Sequence, residues 1–253
     1  GAEEIKTVPV PSFNMINGGK YSTHIQPFNE FILIPYKAED IFQAVEMSVK
    51  IYHKIESVIQ DYYNIKPGIG SSYGWIAPSE DPEQNLKLLA EAADRCGYLD
   101  KVAFALDCAS SEMYDKKTRT YYLLGKQIGS DQMIEYVKGI TERWQIVFVE
   151  DLLDEDDWDG YAKAHSVLKR TLIFGDDFTA TDKTRIARAH KEQSIDGFIL
   201  KPNQAGTITE ALDAYAFAKQ KQLIATPSGR SGGVLGDVIM DLGVGLQTPF
   251  QKN

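Results

Sequence analysis

Short apolar runs recur along the chain, and most are followed by a longer stretch in which apolar residues return every three or four positions. Runs of the first kind suit buried strands, and stretches of the second kind suit amphipathic helices. The pattern predicts strands at 9–14 (PVPSFN), 28–34 (FNEFILI), 102–107 (VAFALD), 146–150 (IVFVE), 172–177 (LIFGDD), 197–201 (GFILK), 223–226 (LIAT) and 242–246 (LGVGL). It predicts helices at 39–63, 82–96, 130–143, 156–169, 182–192, 207–220 and 234–241. In the first of these, Ile41, Val45, Val49, Tyr52 and Ile55 fall at helical steps, which predicts one face for a core.

The order reads strand, strand, helix, helix, and then repeated strand–helix units. Uniformly apolar strands joined by helices predict a largely parallel sheet covered on both faces. About eight such strands close a (β/α)8-type barrel, which is the fold class expected. A doubly wound open sheet also alternates, but its usual glycine-rich phosphate loops, GxGxxG and GxxxxGK[ST], are absent. With 242–246 as the eighth strand, the last helix is missing from the pattern. Apolar surface on that strand is then expected to be left uncovered.

Composition narrows the class. The 253 residues are 43% hydrophobic and 25% charged, as in an ordinary soluble globular chain, and have room for one barrel domain over 1–253. A formal net charge of −9 argues against a nucleic-acid partner. No apolar run reaches the roughly 20 residues a membrane helix needs. The opening GAEEIKTVPVP has no signal-peptide pattern, and Cys96 and Cys108 form no CxxC pair. A cytoplasmic setting follows as the expectation.

In a β/α barrel the chemistry gathers at the C-terminal ends of the strands. There stand Asp107, Glu150 and Asp176, with Lys201 on the next predicted strand. Any one such carboxylate is most simply a helix cap. Three converging on one mouth make a hard-oxygen site suited to Mg²⁺, and a lysine beside the ion is a candidate general base. Other features read as structural. Cys108 is expected to be a small buried packing residue, 154-DEDDWD-159 a helix start, and 61-DYYN-64 a helix end.

The strings 9-PVPSFNMINGG-19, 29-NEFILIP-35, 104-FALDCASSEMY-114, 149-VEDLLDEDDW-158, 174-FGDDFTATD-182 and 200-LKPNQAGT-207 strongly resemble the barrel domain of enolase, in matching order from about Pro9 to Lys252. The resemblance implies Mg²⁺ held by Asp107, Glu150 and Asp176. It implies Lys201 as the base that removes the α-proton and Lys252 as the lysine that helps hold the substrate carboxylate. It also implies Arg230 and Ser231 on the substrate phosphate, and Glu30 near the leaving group. The implied partner is a small anionic phosphorylated 2-hydroxy acid of the 2-phosphoglycerate kind, and the implied assembly is a homodimer.

The departures from the family pattern fall on one side of the site. Gly229 stands where enolases carry a histidine, and Lys20 and Tyr21 stand where they carry Ser-His. The family's GDEGGFAP loop, with its acidic glutamate, reads 70-GSSYGWIAP-78 here, which puts Ser72 or Tyr73 in the glutamate's place and makes the Tyr73 phenol a candidate acid. Tyr21 and His24 are candidates to face the pocket, and Trp75 belongs either to its wall or to the core. The family's N-terminal capping domain is not part of the sequence. Three readings stay open: an enolase-like hydro-lyase, the same proton abstraction on another anion such as a phosphonate, and a catalytically silent scaffold.

Overall fold

The computed structural model describes residues 4–22, 27–234 and 236–252. The order is β1 (Val10–Asn17), β2 (Glu30–Ile34), α1 (Ile41–Tyr63), the two-residue β3 (Trp75–Ile76), α2 (Pro82–Arg95) and β4 (Ala103–Asp107). A small sheet follows, β5 (Tyr114–Asp115), β6 (Thr120–Leu123) and β7 (Lys126–Ile128). Then come α3 (Ser130–Arg143), β8 (Ile146–Glu150), α4 (Trp158–Val167), β9 (Leu172–Gly175), α5 (Lys183–Lys191) and β10 (Gly197–Leu200). The chain continues through the single turn α6 (Pro202–Ala205), α7 (Ile208–Gln220), β11 (Ile224–Pro227), α8 (Val238–Leu246) and β12 (Phe250–Lys252).

The main sheet runs β11-β10-β9-β8-β4-β2-β1-β12, and a parallel bridge from Ser228 to Lys252 joins its two ends. The result is a closed eight-stranded barrel. One strand departs from the parallel expectation: β2 is antiparallel to both β1 and β4. The connectivity explains it. Among the described residues only the short 3-10 turn Gly19–Tyr21 stands between β1 and β2, where the chain returns, whereas α1 and α2 separate β2 from β4, where it reverses once more.

Side chains alternate between the barrel interior and the helix layer, as the strand pleat requires. Ile32, Ile34, Ala105, Phe148, Phe174 and Ile199 form the interior cluster, with the Phe148 and Phe174 rings stacked 4.8 Å apart. The helices pack on the other face, around Met15, Phe31, Leu106, Val149 and Ile173.

Two expectations are corrected. Residues 242–246 are not a strand but the end of α8, whose Asp237 cap accepts the Ile239 N–H and whose Gln247 leaves the helix at φ 55°. The run LGVGL is apolar on every side, so it carries no period by which helix and strand differ. The eighth strand is β12, which at three residues is too short to register as a run. On α1 the buried face is Ala44, Met47, Ser48, Ile51, Ile55, Val58 and Ile59, while Val45 and Val49 lie outward. Apolar residues occupy more than one stripe of this helix, and the core took the stripe with the smaller side chains at its start.

Elsewhere the local chemistry holds. Asp40, Asp81, Asp157, Asp182 and Thr207 each cap a helix with a side-chain oxygen. Asp157 is in the acidic run expected to start a helix, and 61-DYYN-64 closes α1. Cys108 is fully buried and burial pushes its thiol well up, as befits a packing residue. Trp75 belongs to the core: it is 7% exposed, and its Nε1 donates to the Tyr52 carbonyl at 2.7 Å. His24 lies outside the described residues.

Candidate active site

Strand register brings the charged residues to one level. Asp107 pairs with Glu150 across β4 and β8, and Glu30 pairs with Asp107 across β2 and β4. Because β2 runs backwards, the first residue of that strand reaches the same mouth as the last residues of its neighbours. Lys201 follows β10, Asp176 follows β9, and Lys252 ends β12 beside Ser12 and Ser228.

Six of these charged side chains are almost wholly buried: Glu30, Asp107, Glu150, Asp176, Lys201 and Lys252. Buried charges persist only when paired. The Lys252 ammonium stands 2.6 Å from Glu150, 2.8 Å from Glu30 and 3.3 Å from Asp107. Lys201 pairs with Asp176, whose other oxygen accepts Gln204 Nε2 at 2.8 Å.

The balance shows in the proton affinities. Burial, opposed mainly by Lys252, raises the Asp107 carboxyl to about 6. Burial and the charge on Asp107 push Glu150 well above its ordinary value. Burial works against a charged Lys252, but Asp107, Glu150 and Glu30 outweigh it and hold the ammonium well above the ordinary lysine range. For Asp176 burial also acts upward, yet Lys201 and Lys252 together bring it below the usual value. Burial, with Glu30 and Asp107, raises the Tyr21 phenol to about 12, so it remains a hydrogen-bond donor at neutral pH.

The two lysines open on a cavity of about 300 Å³ that is also lined by Tyr21, Glu30, Ser72, Tyr73, Asp107, Arg230 and Ser231. Every candidate catalytic and substrate-binding residue therefore faces one space. Tyr73 does so loosely, being 65% exposed. Ser72 sits closer to the charges, since its hydroxyl donates to Glu30 Oε1 at 2.9 Å. Ser231 turns its hydroxyl to the Ser71 carbonyl at 2.6 Å. A different cavity of about 440 Å³, beside the small sheet, is lined by Glu80, Glu112 and Asp115 with no lysine or arginine among its described lining residues.

The three candidate metal ligands stand at the ends of neighbouring strands, with the Lys252 ammonium in contact with both Asp107 and Glu150. Their chemistry fits Mg²⁺: all donors are hard oxygens. Glu150 Oε1 is buried without a hydrogen-bond partner among the described residues, an acceptor open to a cation. The tightest carboxylate trio among the described residues is another one, Asp151, Asp176 and Asp177, with oxygens within 4.8 Å of one another. Asp151 there is committed to the backbone, accepting from the N–H groups of Asp176 at 2.9 Å and Asp177 at 2.8 Å.

Residue-by-residue reading missed three groups. Gln204 and Thr181 bond to each other at 3.0 Å, and Thr181 Oγ1 accepts the Lys201 N–H at 2.9 Å, so together they frame the lysine and Asp176. Burial and the charge on Asp176 raise the Asp177 carboxyl above its ordinary value, against the smaller opposing effects of Lys20, Lys201 and Arg230. Gln204 and Asp177 lie inside LKPNQAGT and GDD, but as polar residues near a strand end they carried no pattern of their own.

The sequence profile described as "Enolase, C-terminal TIM barrel domain" matches residues 5–252. The chain belongs to the enolase family. It is 35% identical to an enolase of Methanococcus aeolicus over 94% of this chain and 56% of the relative. It is 32% identical to an enolase of Sulfolobus acidocaldarius over 100% of this chain and 60% of that one. Enolase B of Dictyostelium discoideum is 34% identical over 95% of the chain and 57% of its own length. The chain thus spans somewhat more than half the length of these enolases. No helix among the described residues is long and apolar enough to cross a membrane.

Proposed function

We propose that this enolase-family barrel is the catalytic part of an Mg²⁺-dependent hydro-lyase acting on 2-phosphoglycerate or a closely similar anionic 2-hydroxy acid. One observation carries the reading: two buried lysines, paired with four buried carboxylates, face the same cavity as Arg230. Mg²⁺ held by Asp107, Glu150 and Asp176 would supply positive charge against the negative charge that gathers on the substrate carboxylate.

The chain's own groups divide the remaining work. Lys201 Nζ, in its neutral form and so released from its ion pair with Asp176, takes the proton from the carbon next to the carboxylate and becomes the ammonium, and Lys252 pairs with the carboxylate itself. Arg230, exposed at the rim, binds the phosphate as a bidentate donor. The C–O bond on the neighbouring carbon then breaks, and hydroxide leaves as water with a proton from the side lined by Glu30, Ser72 and Tyr73. The same reading carries a cytoplasmic homodimer with a small-molecule substrate and no nucleic acid.

A second reading keeps the proton abstraction and changes the anion, for example to a phosphonate. The space at Gly229 favours it: a Cβ built there meets no atom within 4 Å, so the pocket wall is open on that side.

The experiment is proton exchange in D₂O with Mg²⁺ and 2-phosphoglycerate, followed by NMR beside the formation of phosphoenolpyruvate. With a capping domain of the family's kind supplied, exchange should outrun elimination, because the groups assigned to the α-proton match the family while the leaving-group side is altered. General acid assistance is typically worth about 10²–10⁴-fold, which bounds the gap. Lys201→Ala should abolish both. Absence of exchange with phosphorylated and phosphonate 2-hydroxy acids alike would leave the silent scaffold.

A further inference from the structure

The turn at 70–74 crosses the mouth of the barrel and is held almost entirely through its backbone. Ser71 N–H donates to the Tyr21 carbonyl at 2.9 Å, Tyr73 N–H to Gly70 at 3.0 Å and Gly70 N–H to Gly74 at 2.7 Å. Asn14 Nδ2 donates to the Ser72 carbonyl at 2.7 Å, the Tyr52 hydroxyl to the Tyr73 carbonyl at 2.6 Å, and Gly74 N–H to Asn17 Oδ1 at 2.9 Å. A Cβ at Gly74 would come within 2.8–3.0 Å of the Ile16–Asn17 backbone and the Asn17 side chain, so the turn lies directly on β1. Tyr73 takes φ 64°, a left-handed backbone that a non-glycine residue keeps only when its surroundings impose it.

This much anchoring delivers one side chain to the buried charges. Ser72 Oγ donates to Glu30 Oε1, the one hydrogen bond the Glu30 carboxylate makes among the described residues. The other oxygen, Oε2, faces the Lys252 ammonium at 2.8 Å. The terminal torsion of a glutamate is broad, so a carboxylate held at only one oxygen has no fixed plane. Held at both, it does. Lys252 in turn is held by Glu30 together with Asp107 and Glu150, so the place of its ammonium depends in part on where Glu30 points.

We propose that Ser72 is a positioning residue: its hydroxyl sets the plane of the Glu30 carboxylate and, through it, the place of the Lys252 ammonium. The kinetic consequence rests on the hydro-lyase reading above; the orientation itself does not. The turn stays in place without the hydroxyl, because none of its backbone bonds involves it.

The test compares wild type, Ser72→Ala and Ser72→Thr by crystallography, thermal unfolding and steady-state kinetics on 2-phosphoglycerate. In Ser72→Ala the melting temperature should fall by roughly 2–8 °C with the transition still cooperative, as expected when one hydrogen bond to a buried carboxylate is lost and no packing is. The Glu30 carboxylate should leave its wild-type plane or split between rotamers. A displacement of this size should lower kcat roughly 10–100-fold with KM within about twofold. Ser72→Thr, which keeps the hydroxyl, should restore both the carboxylate and kcat. An unmoved Glu30 in Ser72→Ala overturns the proposal, and so does a loss of kcat that Thr does not rescue. If wild type shows no turnover even with a capping domain of the family's kind supplied, the hydro-lyase reading fails, and the Glu30 conformation alone decides the role of Ser72.

Discussion

Around Lys252 three carboxylates lie within 3.3 Å of one ammonium, so a single positive charge is shared among three buried acidic groups. Breaking a buried ion pair by removing one partner typically costs about 3–5 kcal/mol, because the other charge is left uncompensated. Lys252→Met, measured by urea unfolding at pH 7 without divalent cations, should lose stability on that scale. Millimolar Mg²⁺ should return much of it, since a cation among the same oxygens does the same electrostatic work. In wild type Mg²⁺ should raise the melting temperature, and Glu150→Gln should remove most of the gain. An unchanged melting temperature in Mg²⁺ counts against the metal site. The sequence showed these residues clearly as a set: strand-terminal Asp107, Glu150 and Asp176, then Lys201. It could not show their pairings, because Lys252 meets Asp107 across 145 positions of chain.

Between elements, contacts that the hydrophobic pattern does not record hold the layers in register. Glu83, at the start of α2, accepts Arg143 Nε at 2.8 Å, Arg143 Nη2 at 2.9 Å and Trp144 Nε1 at 3.1 Å from the end of α3. The Arg143 bonds hold the Glu83 carboxyl below its ordinary value of 4.5. A carboxylate lowered in the fold stabilises it above the unfolded value and loses that effect as pH falls through the folded one. Glu83→Gln should therefore cost roughly 0.5–1 kcal/mol at pH 7, and the gap from wild type should close in acid, read by chemical unfolding across pH. Within the barrel, Gly197 opens β10 where a Cβ would strike the Ile224 carbonyl oxygen and come within 2.7 Å of the Phe174 ring. Gly197→Ala should destabilise by about 1–3 kcal/mol, checked by the shift in denaturation midpoint. Most elements were legible from their period, and α3 and β8 match the expected bounds. The small sheet β5–β7 was not, since its strands are two to four residues long and half exposed.

For the molecule as a whole, closure rests on three residues. β12 pairs with β1 at Val10, Pro11 and Ser12, and Lys252 bridges back to Ser228. A chain ending at Pro249 should lose the cooperative thermal transition seen by circular dichroism and become sensitive to limited proteolysis, and Mg²⁺ should not restore it. Lys252→Met keeps the strand and should respond to Mg²⁺. The pair of variants separates closure of the barrel from neutralisation of its mouth. The expectation of uncovered apolar surface on 242–246 disappears with the strand itself, because that segment packs as a helix, with Gly243 directly against Gln251.

What the sequence determined by itself is what short-range physics governs: where apolar runs begin and end, which Asp or Thr caps a helix, and which strand ends carry ionisable groups. These depend on neighbours within a few positions and on the pleat or the helical turn. It also carried the enolase resemblance, because VED, GDD and LKPNQAGT are local strings. The tertiary structure alone decided the rest. It set the reversed direction of β2 that brings Glu30 to the mouth, the choice of β12 over 242–246 as the closing strand, and the pairing of Ser72 with Glu30 across 42 positions. Each of these is settled by which surfaces meet when the ring closes, and no stretch of the chain holds that information separately.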